Sequence, residues 1–176
     1  MKKIIKIAGS SSKKSINKTL ATYAANKLKN VEIITIDLNK YEMPLYNIDI
    51  ETEYGIPQTA IKLDAIFEHS DGIIISLAEH NGSYAVAFKN ILDWVSRINQ
   101  KVWKNKPMLL MSTSPGERGG ITVLQSAKSY FPFIGGNIIS DFSLPSFYDN
   151  FSESKITNQK LEDVLIKKVN LFKEAI

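Results

Sequence analysis

The sequence predicts an α/β three-layer sandwich built around a parallel β-sheet. Three observations predict it. β-Branched runs alternate with stretches of helical periodicity from one end of the chain to the other. The runs are continuous, as in Ile73-Ile74-Ile75-Ser76-Leu77, which suits strands covered on both faces. Polar loops follow the first, third and fourth runs, at the strand ends where open parallel sheets hold ligands.

Taken in order, Ile4, Ile5 and Ile7 form a first strand, and Gly9 lets the chain turn as it leaves. Ile16, Leu20, Tyr23, Ala24 and Leu28 recur at helical spacing, and the segment 31–37 alternates as a second strand. Residues 43–51, broken by Pro44 and polar positions, read as an unusually apolar loop, either a plug on the sheet edge or a wall of a site or subunit contact. A helix over about 57–70 turns Ile61, Ala65 and Ile66 inward, and strand 73–77 follows. The next helix, ending near Arg97, buries Ala85, Phe88, Ile91, Leu92 and Val95. A fourth strand over 108–112 leads to a helix carrying Val123, Leu124, Ala127 and Tyr130. A fifth strand over 137–140, a loop over 142–151 and a last helix over about 157–175, with Leu161, Val164, Leu165, Val169 and Phe172 inward, complete five strands and five helices. No repeat or composition break divides residues 1–176, so they read as a single domain.

Composition narrows the function. The chain is 44% hydrophobic and 23% charged, enough for a full core. It has no cysteine, which excludes disulfides, thiolate metal centres and cysteine nucleophiles. The 22 basic residues barely exceed the 18 acidic ones, and no aromatics interleave with a basic run. That argues against nucleic acid as a partner, while the mild positive excess favours anionic nucleotides. No signal peptide or membrane-length apolar stretch is visible, so a cytoplasmic protein is expected.

The loop over 9–17 gathers Ser10, Ser12, Ser15, Asn17 and two lysines at a helix N-terminus, a ready anion site. It is neither a P-loop, because Lys14 stands where the second glycine belongs, nor a dinucleotide fingerprint, because no glycine follows Gly9 until Gly55. Ser15 also suits a simple helix cap. In the second loop, Glu79 invites an acid/base role or a carboxylate accepting loop N–H bonds. His80 invites a metal or proton-shuttle role, and Asn81-Gly82 a tight turn before Ser83. A metal cluster is disfavoured because the one other histidine, His69, is expected at the far end of the preceding strand. In the third, Pro115-Gly116 and Gly119-Gly120 let backbone approach a ligand, with Arg118 as a phosphate clamp. Neither histidine is placed to serve a serine nucleophile. Phosphate donors beside loops suited to a planar ring, without an acid/base pair, point to a cofactor that carries its own chemistry. Loops on the first, third and fourth strands suit the flavodoxin-like strand order 2-1-3-4-5.

Four segments then carry a resemblance. They are Gly9-Ser10 through Ser15-x-Asn17-x-x-Leu20-Ala21; Met43-Pro44-Leu45-Tyr46-Asn47-x-Asp49-x-Glu51; Glu79-x-Asn81-Gly82-Ser83 through Lys89-Asn90-x-x-Asp93-Trp94-x-Ser96-Arg97; and Lys106-Pro107 through Ser114-Pro115-Gly116-x-x-Gly119-Gly120. In these the chain resembles the NADPH-dependent FMN reductase family, flavodoxin-like proteins that include chromate, quinone and azo-dye reductases. The resemblance implies a bound FMN with its phosphate on Ser10, Ser12, Ser15, Ile16 and Asn17. The flavin ring would lie between Glu79, His80, Asn81, Gly82 and Ser83 on one side and Ser114, Pro115 and Gly116 on the other. It implies NADPH or NADH as electron donor, a small acceptor such as a quinone or flavin, no catalytic side chain, no metal, and a homodimer or homotetramer. The family usually carries Arg where Ser12 stands, and Pro and Tyr at Ala78 and His80. The other readings are a flavodoxin-like electron carrier and a binding module without turnover. Loss of Ser15 and Asn17 is expected to weaken FMN retention and spare the fold, as contacts outside the core, and Arg118 to grip the NADPH 2′-phosphate.

Overall fold

The computed structural model describes Met1–Ile176. In chain order the elements are strand β1 (Lys2–Gly9), helix α1 (Ile16–Ala25), β2 (Val31–Ile36), a 3₁₀ turn (Leu38–Lys40), α2 (Ile48–Tyr54) and α3 (Gln58–Glu68). Then come β3 (Gly72–Leu77), a short hairpin of β4 (Glu79–His80) and β5 (Ser83–Tyr84), α4 (Val86–Ile98), β6 (Pro107–Thr113) and α5 (Ile121–Tyr130). A 3₁₀ turn (Phe131–Ile134), β7 (Asn137–Leu144), α6 (Phe147–Asn150), a second hairpin of β8 (Phe151–Ser152) and β9 (Lys155–Ile156), and α7 (Gln159–Ala175) complete the chain.

The main sheet has the order β2-β1-β3-β6-β7 with every pair parallel, the flavodoxin-like order read from the loops. Side-chain alternation along each strand divides the core into two layers. Ile5, Ile7, Ile73 and Ile75 face a layer with Phe67, Phe88, Trp94 and Trp103. Ile4, Ile74, Leu109 and Met111 face the other, with Leu20, Leu165 and Phe172. All six residues of β3 are buried, as its continuous apolar run requires.

Register sets the position of the loops. Gly9 lies opposite Leu77, and Leu77 opposite Ser112. The first, second and third loops therefore leave the same edge, with neighbouring strands about 5 Å apart. Gly9 is needed for closeness rather than for a turn. It is still in the strand, and a Cβ there would lie 2.9 Å from a Leu77 side-chain carbon and 3.4 Å from its Cα.

Several elements differ from the sequence reading. The 43–51 loop becomes helical at Ile48, because Asn47 accepts a hydrogen bond from the Ile50 N–H and Asp49 and Glu51 favour the first turn. Helix α3 buries Ala60, Leu63 and Phe67 and leaves Ile61 and Ala65 exposed, since the larger Leu63 and Phe67 take the core face. Tyr130 and Val164 are likewise exposed. The fifth strand runs on to Leu144, and the loop expected after it holds α6 and the start of the second hairpin.

The 41–51 strap is fastened to α4 by side chains from the second resemblance segment and the third. Asn90 Nδ2 donates to the carbonyls of Met43 and Pro44, and its Oδ1 accepts from the Tyr46 N–H. Trp94 Nε1 donates to Pro44 O at 2.7 Å. Arg97 Nε donates to both Glu51 oxygens, and the Tyr46 hydroxyl donates to Glu51 Oε2 at 2.9 Å.

Candidate functional site

The three loops enclose one cavity of about 240 Å³. Its wall contains Ser10, Ser12, Lys14, Ser15, Ile16 and Asn17 from the first loop. Ala78, Glu79 and His80 come from the second, Thr113, Ser114 and Pro115 from the third, and Tyr148 from α6. Nine of the expected cofactor contacts therefore share one cavity, while Asn81, Gly82, Ser83 and Gly116 lie outside its wall. Asn81 and Gly82 form the tip of the β4–β5 hairpin, at φ 51° and 75°.

The first loop is organised by its own hydroxyls. Ser10 Oγ accepts from the Ser12 N–H, and Ser12 O from the Ser15 N–H. Ser15 is the N-cap of α1, its Oγ accepting from the Lys18 N–H at 3.2 Å. The cap still leaves first-turn N–H groups without intrahelical partners, directed at the cavity end of the helix.

Asn17 is not peripheral. It is buried, and its amide joins α1 to the two strands β3 and β6: Nδ2 donates to Thr113 O at 3.1 Å, Oδ1 accepts from the Thr113 N–H at 3.1 Å, and Oδ1 accepts from Ser76 Oγ at 2.7 Å. Ser76 and Thr113 are themselves buried. The expectation that Asn17 contributes only outside the core is thereby corrected. It fixes the distance between the start of α1 and the third loop.

Glu79 is also committed within the protein. Its Oε2 accepts from the Val123 N–H at 2.9 Å, placing a carboxylate at the N-terminus of α5 and tying the second loop to the third. Arg118 stands outside the cavity wall, with Nη2 donating to Thr122 Oγ1 at 2.9 Å. The Gly119 carbonyl accepts from both Ser112 Oγ and Ser143 Oγ, holding the third loop down on β6 and β7.

The field at the first loop is positive. A shallow groove of about 510 Å³ along the outside of α1 shares Lys14 and Ser15 with the cavity and adds Lys13 and Lys18. Beneath the loop, burial and then the nearby Lys18 lower the pKa of Lys6. Such a cluster raises the local concentration of anions.

Sequence reasoning missed Thr113 and Tyr148. Thr113 lies one residue inside the third loop's strand. Tyr148 belongs to no motif; the register that sets Leu144 beside Thr113, with backbone bonds from Ser146 N to Gly116 O and from Phe147 N to Ser114 O, brings it to the cavity.

Comparison with known proteins places the chain in a family. The family model described as NADPH-dependent FMN reductase matches residues 2–149. The chain is 28% identical over 118 residues to a quinone reductase of Escherichia coli K12, a match covering 67% of this chain and 61% of that protein. It is 30% identical over 129 residues to a quinone reductase of Pseudomonas putida, covering 73% of this chain and 68% of the other. Among solved structures, a flavoenzyme NAD(P)H:(acceptor) oxidoreductase of Paracoccus denitrificans superposes with a TM-score of 0.76 at 24% identity, covering 99% of each chain. With its fold, its strand-end cavity and a family match over most of its length, the chain belongs to the NADPH-dependent FMN reductase family.

Proposed function

We propose that this chain is an FMN-dependent oxidoreductase that takes electrons from NADPH or NADH and passes them to quinones, flavins or similar small acceptors. The convergence of three strand-end loops on one cavity carries the proposal. One end of that cavity offers a helix N-terminus, serine hydroxyls and Lys14, the donor set a phosphate dianion requires. The other end offers the Glu79 hairpin and the Ser114-Pro115 turn, where backbone can lie along a planar ring.

Bound FMN would supply the redox chemistry, accepting a hydride from the nicotinamide and returning electrons to the acceptor. The chain's own part is to bind, orient and exclude water. Ser10, Ser12, Ser15 and the N–H groups of Ile16 and Asn17 would hold the phosphate, with Lys14 in place of the arginine usual at Ser12. Glu79, braced on Val123, would hold the hairpin of His80, Asn81, Gly82 and Ser83 at a fixed height against the ring. Ser114, Pro115 and Gly116 would close the opposite side, held by the Asn17 bridge to Thr113. No step requires a protein acid or base.

Residues 1–176 would act as one domain in the cytoplasm, paired as a homodimer or homotetramer. Exposed Leu45, Ile48 and Val86, on the strap and at the start of α4, support a subunit contact. No helix is long and apolar enough to cross a membrane.

The test is direct. Purified protein is loaded with FMN, freed of excess, and mixed anaerobically with NADPH or NADH in a stopped-flow spectrometer. One FMN per chain, bleached rapidly by a nicotinamide and reoxidised by a quinone, is expected. A flavin inert to both nicotinamides would leave an electron carrier, and failure to take up FMN would refute the proposal.

A further inference from the structure

We infer that Tyr148 is a phosphate-binding residue, its phenol hydroxyl donating a hydrogen bond to the cofactor phosphate. The inference rests on the FMN reading above and adds a contact from outside the three loops, on the segment that follows β7. Tyr148 lines the same cavity as Lys14 and Ser15. It is 69% exposed, although it sits on one of the more firmly fastened turns in the chain.

That fastening has several parts. Ser146 adopts a left-handed conformation at φ 44°, which non-glycine residues seldom do without a local constraint. Its N–H donates to Gly116 O at 2.9 Å, and the Phe147 N–H donates to Ser114 O at 3.0 Å. Asn150 Nδ2 closes the turn by donating to Pro145 O at 2.9 Å. Phe147, almost fully buried, stands edge-on beneath Tyr148 with ring centroids 5.5 Å apart. Beyond that edge contact most of the Tyr148 surface stays exposed, and its place on the cavity wall points to a ligand.

The placement is coupled to the phosphate end of the site. Asn17 in the first turn of α1 bonds both the N–H and the carbonyl of Thr113, and the next carbonyl, that of Ser114, holds the Tyr148 turn. The helix N-terminus and the turn that carries Tyr148 are thus linked through Thr113 and Ser114. A phenol is an O–H donor, and an anion facing helix N–H groups and Lys14 has acceptor lone pairs left on its far side.

The experiment compares FMN with riboflavin, which lacks the phosphate, by flavin-fluorescence quenching on apoprotein. Tyr148→Phe removes the hydroxyl and keeps the ring. The FMN dissociation constant is expected to rise about 10-fold, as for loss of one hydrogen bond to a charged group, with the riboflavin constant unchanged. An unchanged FMN constant overturns the inference, and so does an equal rise for both flavins, which would make Tyr148 a ring or ribityl contact. FMN binding by the unsubstituted protein tests the FMN reading itself, so the two failures are distinguishable.

Discussion

Replacing Asn17 by Ala should cost the protein about 3 kcal/mol of stability, and the structure says where that comes from. The substitution leaves Thr113 without an acceptor for its N–H and a donor for its carbonyl, and leaves the Ser76 hydroxyl without its acceptor. A buried polar group stripped of its partner costs about 1–3 kcal/mol. The Ser76 hydroxyl can rotate, and Asn17 borders the cavity, so water reaches part of the gap and the total falls toward the low end. At roughly 2–4 °C per kcal/mol for a chain of this size, the melting midpoint should drop by about 6–12 °C. Urea unfolding of the apoprotein, followed by tryptophan fluorescence, checks this, with the slope unchanged so that the midpoint shift reports stability. Ser15→Ala serves as the comparison, since loss of that helix cap costs only about 1 kcal/mol. An Asn17→Ala loss below that of Ser15→Ala would refute the reasoning, because the amide would then carry no more than a surface contact.

Two further outcomes follow from particular contacts. Gly119→Ala would put a Cβ 2.4 Å from Ser143 Oγ and 3.0 Å from the Leu144 backbone, at φ 57°. Strain and overpacking together should cost about 2–4 kcal/mol and loosen the third loop, read as a lower melting midpoint with weaker FMN retention. At Glu51, burial alone would raise the carboxyl pKa, but hydrogen bonds from Tyr46 and Arg97 outweigh it and hold the value below the ordinary one. The group therefore adds stability above its unfolded-state pKa, and that contribution disappears as pH falls through the lower folded-state value. The stability gap between the unsubstituted protein and Glu51→Gln, measured by urea unfolding, should be constant near neutrality and close on acidification. A gap that widens in acid would show the ion pair to be misread.

The sequence by itself determined the architecture. Continuous β-branched runs such as β3 suit strands buried on both faces, and the amphipathic helices between the strands favour a parallel order. It also pointed to the strand ends that line the cavity, because serine, asparagine and glycine at a strand-to-helix junction are chemically conspicuous. Helix faces were less legible. In α3 the choice of Leu63 and Phe67 over Ile61 and Ala65 depends on the volume the sheet leaves to fill, and periodicity does not measure that. Tertiary structure alone decided what the site residues do. Asn17 and Glu79 read as ligand contacts, yet their side chains are bonded to Thr113, Ser76 and Val123, partners between 44 and 96 positions away. Tyr148 was silent in the sequence because sheet register and the fastening of its turn, rather than its own residue type, bring it to the cavity. Chemistry that resides in a side-chain type is written locally. Chemistry that depends on which distant groups converge is set by sheet register and loop packing.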